Sequence, residues 1–519
     1  MKRLLTLGLA IGWLLALWLP ATAASDEPKR GGTLTVGILK DLSVVNPLVR
    51  TSSMDRRIRG LMYQPLLGID LKGNIQPNLA TEWKVGAEGR LYTFKLRKGV
   101  TFHNGQEMTA EDVKFSMDYT MNPKNGAFGF SRLALVERVD VGDKYTVNVH
   151  LKSPSVAFLS SLTDIKAFSV VPKGSLPEGV KNLPKFPPGT GPFKFVEWQP
   201  NRRIVFRRHD DYWRHKASLD TVILKPVKDD AVRFVALQAG DVDLMENTPF
   251  TWAKQIADGK VKGIKFAMAN FGGYGRIEFN VTAPPFDNRK LRQAVAHAIN
   301  REEILHAAYF GFGIPTPQNY PKGHVLYHEG VPTPEYNLEK ARALLKESGY
   351  QGQAIEILID QEEETHVAAV TIQSQLKKIG MNVKLNVTDY AAFTTLERRG
   401  EFAFTYGGGG SPKTDPSDTY APQLRCEPDL KKRRSNTSGY CDKEMDALLE
   451  KSQTELDPVK RKELFKRIET KVAQDLPILH IGFTPDFLTF RDHVKGFIPD
   501  DDGSLEWWGG GLSTVWLDK

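Results

Sequence analysis

The tightest constraint on the fold lies between residues 355 and 406. Three short apolar runs, IEILI at 355–359, VKLNV at 383–387 and FAFTY at 402–406, alternate with two stretches of helical period at 367–379 and 391–398. Gly380 and Gly400 mark the helix ends, where a residue free to adopt a left-handed conformation closes the last turn. Strand–helix–strand–helix–strand with short joints predicts right-handed crossovers and a parallel sheet. Open sheets of this kind bind ligands beyond the carboxyl ends of their strands. The segment leaving the last strand, Gly407-Gly408-Gly409-Gly410-Ser411, therefore reads as a loop whose bare backbone allows close approach of a ligand.

The rest of the chain adds further α/β material. Strands are predicted at 33–38, 91–96 and 145–151, and Thr109 with Asp112 forms a capping-box signature for a helix through Phe115 and Met117. Asp287 or Asn288 caps a helix whose face is Leu291, Ala294, Val295, Ala298 and Ile299, and a second helix over 338–348 stops at Gly349. The proline- and glycine-rich stretch 172–192 is a crossing loop. At 519 residues the chain has room for about three domains.

Its start reads as an export signal. Lys2 and Arg3 precede an apolar run over 4–19, then Pro20 and the small residues Ala21, Thr22, Ala23 and Ala24. A run of 16 residues is short of the ~20 that span a bilayer, so cleavage after Ala23 or Ala24 is expected. No cysteine lies near the cut, so no lipid anchor is expected. The formal charge is +8, or +6 without Lys2 and Arg3. Its basic clusters, including the one at 431–434, are scattered and read as solvated faces, not as a nucleic-acid surface. Cys426 and Cys441 are the two cysteines. In an exported chain they are expected to form a disulfide, which by loop entropy stabilises by ~3 kcal/mol; two free buried thiols are the alternative.

Signatures of catalysis fail one by one. The sequence YGGGGSPKT at 406–414 imitates a phosphate loop, but Pro412 stands where a glycine N–H must face the phosphate. His324 and His328 are hemmed in by Pro321, Gly323 and Gly330, and no third ligand follows them. No nucleophile elbow, Cys-x-x-Cys or His-Glu-x-x-His occurs. No catalytic residue, metal or cofactor is expected. The acidic run Asp360, Glu362, Glu363 and Glu364 sits at a strand end and a helix start, where it complements the helix dipole or faces a cationic ligand. Trp507 and Trp508 are core or a stacking wall.

A longer set of motifs, in order, resembles a known family. They are GGTLTV at 31–36, YQPLLGID at 63–70, LATEW at 79–83, YTFKLRKGVTFHNG at 92–105, TAEDVKF at 109–115, GTGPFK at 189–194, DYW at 211–213, PFDN at 285–288 and RQA at 292–294. The chain resembles the bacterial extracellular solute-binding proteins of family 5, the peptide- and nickel-binding subunits of ABC importers. The resemblance implies an α/β, two-lobed periplasmic binding protein fold (type II, cluster C-like) with an extra subdomain inserted in lobe one. The implied boundaries are 1–24 signal peptide, 25–60 lobe one, 61–189 insert, 190–270 lobe one, 271–485 lobe two and 486–519 returning to lobe one. It implies a monomer in the periplasm that captures a small-molecule or peptide ligand and delivers it to a permease with its ATPase at the inner membrane. Alternatives are a binding protein for a non-peptide solute (a nickel chelate, an opine-like or cationic compound), a sensory or chaperone-like binding module, or a periplasmic enzyme. Dipeptide-type members hold the ligand ammonium with an Asp about three residues before an Asp-Pro pair; before Asp415-Pro416 that place holds Pro412, with Ser411 beside it. The Arg that such members offer to the ligand carboxylate aligns with Ile359. The candidate ligand contacts are Asn46, Tyr274, Tyr406, Gly408, Gly409, Gly410, Ser411, Asp415 and Trp508.

Overall fold

The computed structural model describes residues 27–49, 53–165, 167–410, 415–429, 435–500 and 503–519. The expected signal segment 1–24, Ser411 and the basic cluster 431–434 lie outside the described residues.

The parallel unit forms as its pattern dictates, with two shifts. Ile355–Asp360 pairs in parallel with Val383–Thr388 on one side and with Phe404 and Thr405 on the other. The first crossover helix spans Glu363–Lys377 and so begins earlier than its apolar period suggests. Glu363 and Glu364 fill its first turn, where carboxylates offset the helix dipole. The second shift corrects a prediction. The last strand is Phe404–Gly410, so the glycines are strand and not loop. Ladder partners from Gly273 to Phe279 extend the strand through all four glycines, overriding their weak intrinsic preference.

Two long strands, Ile264–Phe279 and Ile478–Arg491, run antiparallel and join two halves of one 11-stranded sheet. Their ladder breaks between Ala269 and Gly273. On one side of the break lie Leu244–Met245, Thr33–Ile38, Thr221–Pro226, Arg203–Arg208 and Phe193–Gln199; on the other lie the glycine strand and the parallel unit. Each half has its own core. Lobe one packs Leu34, Val36, Leu224 and Leu244 together with Leu505, Leu512 and Val515 from the chain's end. Lobe two packs Ile277, Val295, Ile357, Ile372 and Tyr406.

A third core belongs to an antiparallel sheet of Ala80–Gly86, Leu91–Leu96, Thr146–Leu151 and Val136–Asp143. Phe94 and Phe102 from this region meet Val113 and Met117 of the helix Ala110–Met121. That helix starts in a capping box: Asp112 accepts from the Thr109 N–H at 2.8 Å. In lobe two, Lys443–Thr454 and Pro458–Asp475 build a helical layer around Leu449, Phe465 and Ile468. Cys426 and Cys441 are joined in a disulfide beside it.

Candidate functional site in the interlobe cleft

The carboxyl ends of Ile355–Asp360, Val383–Thr388 and Phe404–Gly410 all point toward lobe one, because the three strands are parallel and leave lobe two at the edge where the long strands break register. The glycine strand is the key element of that edge. On one side it pairs with the first long strand from Phe404 to Gly410. On the other, Ile355–Asp360 pairs with it only at Phe404 and Thr405. At that register Ile359 and Asp360 come level with Tyr406 and Gly407; beyond Gly407, one row of its backbone donors and acceptors has no strand beside it among the described residues.

Its two faces differ. On one face the Tyr406 ring is buried in the lobe-two core, with its hydroxyl 3.2 Å from that of Tyr309. Burial pushes this phenol up to about 12. Gly275, diagonal to it on the same face, makes room for this ring, since a Cβ there would lie 2.5 Å from the Tyr406 hydroxyl. On the other face, Tyr274 lies over Gly409, where a Cβ would overlap its hydroxyl. The Arg276 guanidinium sits 5.5 Å from the Tyr274 ring centroid. The glycines thus make room for side chains of the neighbouring strand and of the helix Tyr390–Arg399, whose Phe393 would lie 3.2 Å from a Cβ on Gly407.

Behind Tyr274 is a charged network. Arg276 donates to Gln423 and pairs with Glu278 at 2.8 Å. Glu278 accepts from the Thr437 hydroxyl. Burial opposes the Arg276 charge, but Tyr274, Glu278 and Glu397 hold it above the usual guanidinium range. Burial, then repulsion from Glu278, raises Glu397 to about 7. Burial raises Glu469 to about 8 and lowers His480 to about 3.

The other predicted contacts are dispersed. Tyr274, Gly408, Gly409 and Gly410 are brought together as ladder neighbours. Asn46 is buried in lobe one, where its amide donates to the Tyr119 hydroxyl at 2.9 Å and to the Val180 carbonyl at 3.0 Å. Asp415 caps the short helix Pro416–Thr419 and pairs with Arg461 at 2.6 Å. Trp508 donates its indole N–H to the Pro77 carbonyl and lies 4.9 Å from the Arg214 guanidinium. In this structure the polar groups of Asn46, Tyr406 and Asp415 are thus occupied by protein partners. Sequence reasoning missed Arg276, Glu278 and Glu397. A signal existed in the alternation Gly275-Arg276-Ile277-Glu278-Phe279, where charges recur at period two inside an apolar strand. His324 stacks on Tyr320 at 4.5 Å, and among the described residues no group of three or more His, Cys, Asp or Glu is placed to hold a metal.

Residues 74–430 match the model of bacterial extracellular solute-binding proteins, family 5 Middle. The chain belongs to this family. Among family 5 relatives, it is 29% identical over 458 residues to a dipeptide-binding protein of Escherichia coli, covering 82% of this chain and 84% of that one. It is 27% identical over 481 residues to the glutathione-binding protein GsiB of Pectobacterium atrosepticum, covering 91% and 92%. Its fold is similar to that of the ABC transporter substrate-binding protein CtaP of Listeria monocytogenes, with a TM-score of 0.84 and 26% identity over 95% of this chain and 100% of that one. It is also similar to the oligopeptide-binding protein AppA of Bacillus subtilis, solved with a nonapeptide, with a TM-score of 0.74 and 26% identity over 95% and 100%. The architecture is the two-lobed α/β fold of periplasmic binding proteins. In this chain the glycine strand and the register break of the long strands lie where the two halves of the sheet meet.

Proposed function

We propose that this chain is the capture subunit of an ABC importer. It binds a peptide or peptide-like solute between lobes that close about the register break of the long strands, and passes it unchanged to a permease. Export by the segment 1–24, periplasmic location and a monomeric state belong to the same reading. The observation that carries it is the open ladder edge of the glycine strand from Gly408 to Gly410. An extended peptide can add to such an edge as one more strand, since backbone hydrogen bonds give affinity without demanding particular side chains. Relatives named for dipeptides, glutathione and oligopeptides support a peptide-like ligand.

The family's dipeptide anchors are missing at Ile359 and Pro412, and an unpaired buried charge costs several kcal/mol. Longer peptides should therefore bind better than free dipeptides. Calorimetry with alanine oligomers of two to nine residues tests the reading. Penta-alanine should bind at least tenfold tighter than dialanine, and N-methylation of its central amide should weaken it at least tenfold. If no oligomer binds, the peptide reading is wrong. A second reading is a cationic solute. It is favoured by the carboxyl groups of Asp360, Glu362 and Glu364, which lie at the carboxyl end of Ile355–Asp360 and the start of the helix that follows.

A further inference from the structure

The lobes of this protein meet a second time, far along the chain from the two long strands. The segment Pro154 to Ser160 of the inserted subdomain lies against lobe two. The Val156 N–H donates to the Gln453 carbonyl at 3.1 Å. The Asp415 N–H donates to the Ser160 hydroxyl at 2.9 Å. Asp415 is held in turn by Arg461, which is itself anchored on the Ser452 carbonyl at 2.8 Å. Leu456 is 45% exposed, yet it reaches across to Gly89 and Pro154: a Cβ on Gly89 would lie 3.0 Å from Leu456 and 3.2 Å from Pro154. A separate contact forms at the subdomain's hairpin turn. There the Val325 N–H of lobe two donates to the Lys72 carbonyl at 3.2 Å, and the His324 ring lies where a Cβ on Gly73 would be.

These contacts share two properties. They involve the inserted subdomain and not the sheet of lobe one. They are mostly single backbone hydrogen bonds and one partly exposed leucine, each weak enough to break on opening. Asp415 follows the open edge of the glycine strand by only five residues, so the first contact patch stands at the end of the surface on which a solute would lie. We propose that the inserted subdomain is a latch: its 154–160 segment docks on Asp415, Gln453 and Leu456 to seal that end of the cleft, and the latch must release before a solute can leave. This rests on the reading that a solute is captured between the lobes.

The test uses Val156→Cys with Gln453→Cys in the full chain. The two native cysteines are bonded to each other, so the new thiols are the only free ones. The backbone contact brings their Cα atoms to about the 4.4–6.8 Å that a disulfide bridges, and a short bis-methanethiosulfonate reagent covers unfavourable Cβ directions. The pair should cross-link at least tenfold faster than Val156→Cys with Val459→Cys. The cross-link should slow penta-alanine dissociation at least tenfold, and reduction should restore it. In otherwise native protein, Leu456→Asp should speed dissociation about tenfold, while Val459→Asp, three residues away and 77% exposed, should leave it unchanged. Cross-linking no faster than the control pair overturns the latch, as does a cross-link or Leu456→Asp that leaves dissociation unaltered. If penta-alanine does not bind, the peptide reading fails, and the cross-linking rate still decides whether the latch forms.

Discussion

The two faces of the lobe-two sheet share the same strands and do different work. On one, Tyr406 joins Ile277 and Ile357 in a dry core, and its single polar atom meets only Tyr309. On the other, one residue along, Tyr274, Arg276 and Glu278 meet Glu397, Gln423 and Thr437. Alternation along a strand is what lets one backbone serve both ends. The apolar face stabilises by burial. The charged face gains little net stability, because desolvation offsets much of the attraction within a buried ion pair. It instead fixes the position of Tyr274 beside the open edge.

The largest effect is expected on the dry face. Tyr406→Ala should cost ~4 kcal/mol, from the cavity it leaves and the unpaired Tyr309 hydroxyl; denaturant unfolding would measure it, and a loss below 1 kcal/mol would mean that this face is not packed as described. On the charged side, Arg276→Ala should cost ~3 kcal/mol by stranding Glu278. Adding Glu278→Ala should recover part of that loss, so a double-mutant cycle with no coupling would separate the pair.

The faces should also differ in their response to pH. Glu469 titrates near 4.5 when unfolded and near 8 when folded. The folded state therefore holds its proton more tightly, and this stability is present below pH 4.5 and lost as pH rises through 8. Glu469 alone should lower stability by ~3 kcal/mol between pH 5.5 and 8.5, at 1.36 kcal/mol per pKa unit; Glu397, raised to about 7, acts in the same sense, and Glu469→Gln should remove the Glu469 share of that limb. His480 acts in the opposite sense: its folded value near 3 lies below the usual 6.5, so its contribution is lost as pH falls below 6.5. Tyr406, raised to about 12, is silent throughout this window. Unfolding midpoints that do not move between pH 5.5 and 8.5 would erase the distinction. The smallest effect belongs to Gly409→Ala, which should cost ~1 kcal/mol by displacing Tyr274 and be nearly neutral in a Tyr274→Ala background.

Local pattern was enough for the elements that depend on neighbours in sequence. The strands at 355–360 and 383–388, the helix capped by Asn288 and the Thr109–Asp112 box all follow from spacing a few residues long. The candidate site was only partly legible. Its four glycines stood out, but the reason for them did not. Gly409 makes room for Tyr274, which is 135 positions earlier in the chain. Trp508 and Asn46 drew notice as side-chain types, yet their partners, Pro77, Tyr119 and Val180, are remote in sequence.

By itself, the sequence determined the α/β class, the parallel unit of lobe two, the helix caps at Thr109 and Asn288 and the family, because periodicity, capping and long ordered motifs are properties of contiguous residues. Tertiary structure alone decided that the glycines form a strand, that Tyr406 faces the core while Tyr274 faces Arg276, and that Asp415 is bound to Arg461 and Ser160. Each of these depends on which distant strand or helix supplies the neighbour. In a sheet of period two, a one-residue change in pairing register would exchange the dry face for the charged one.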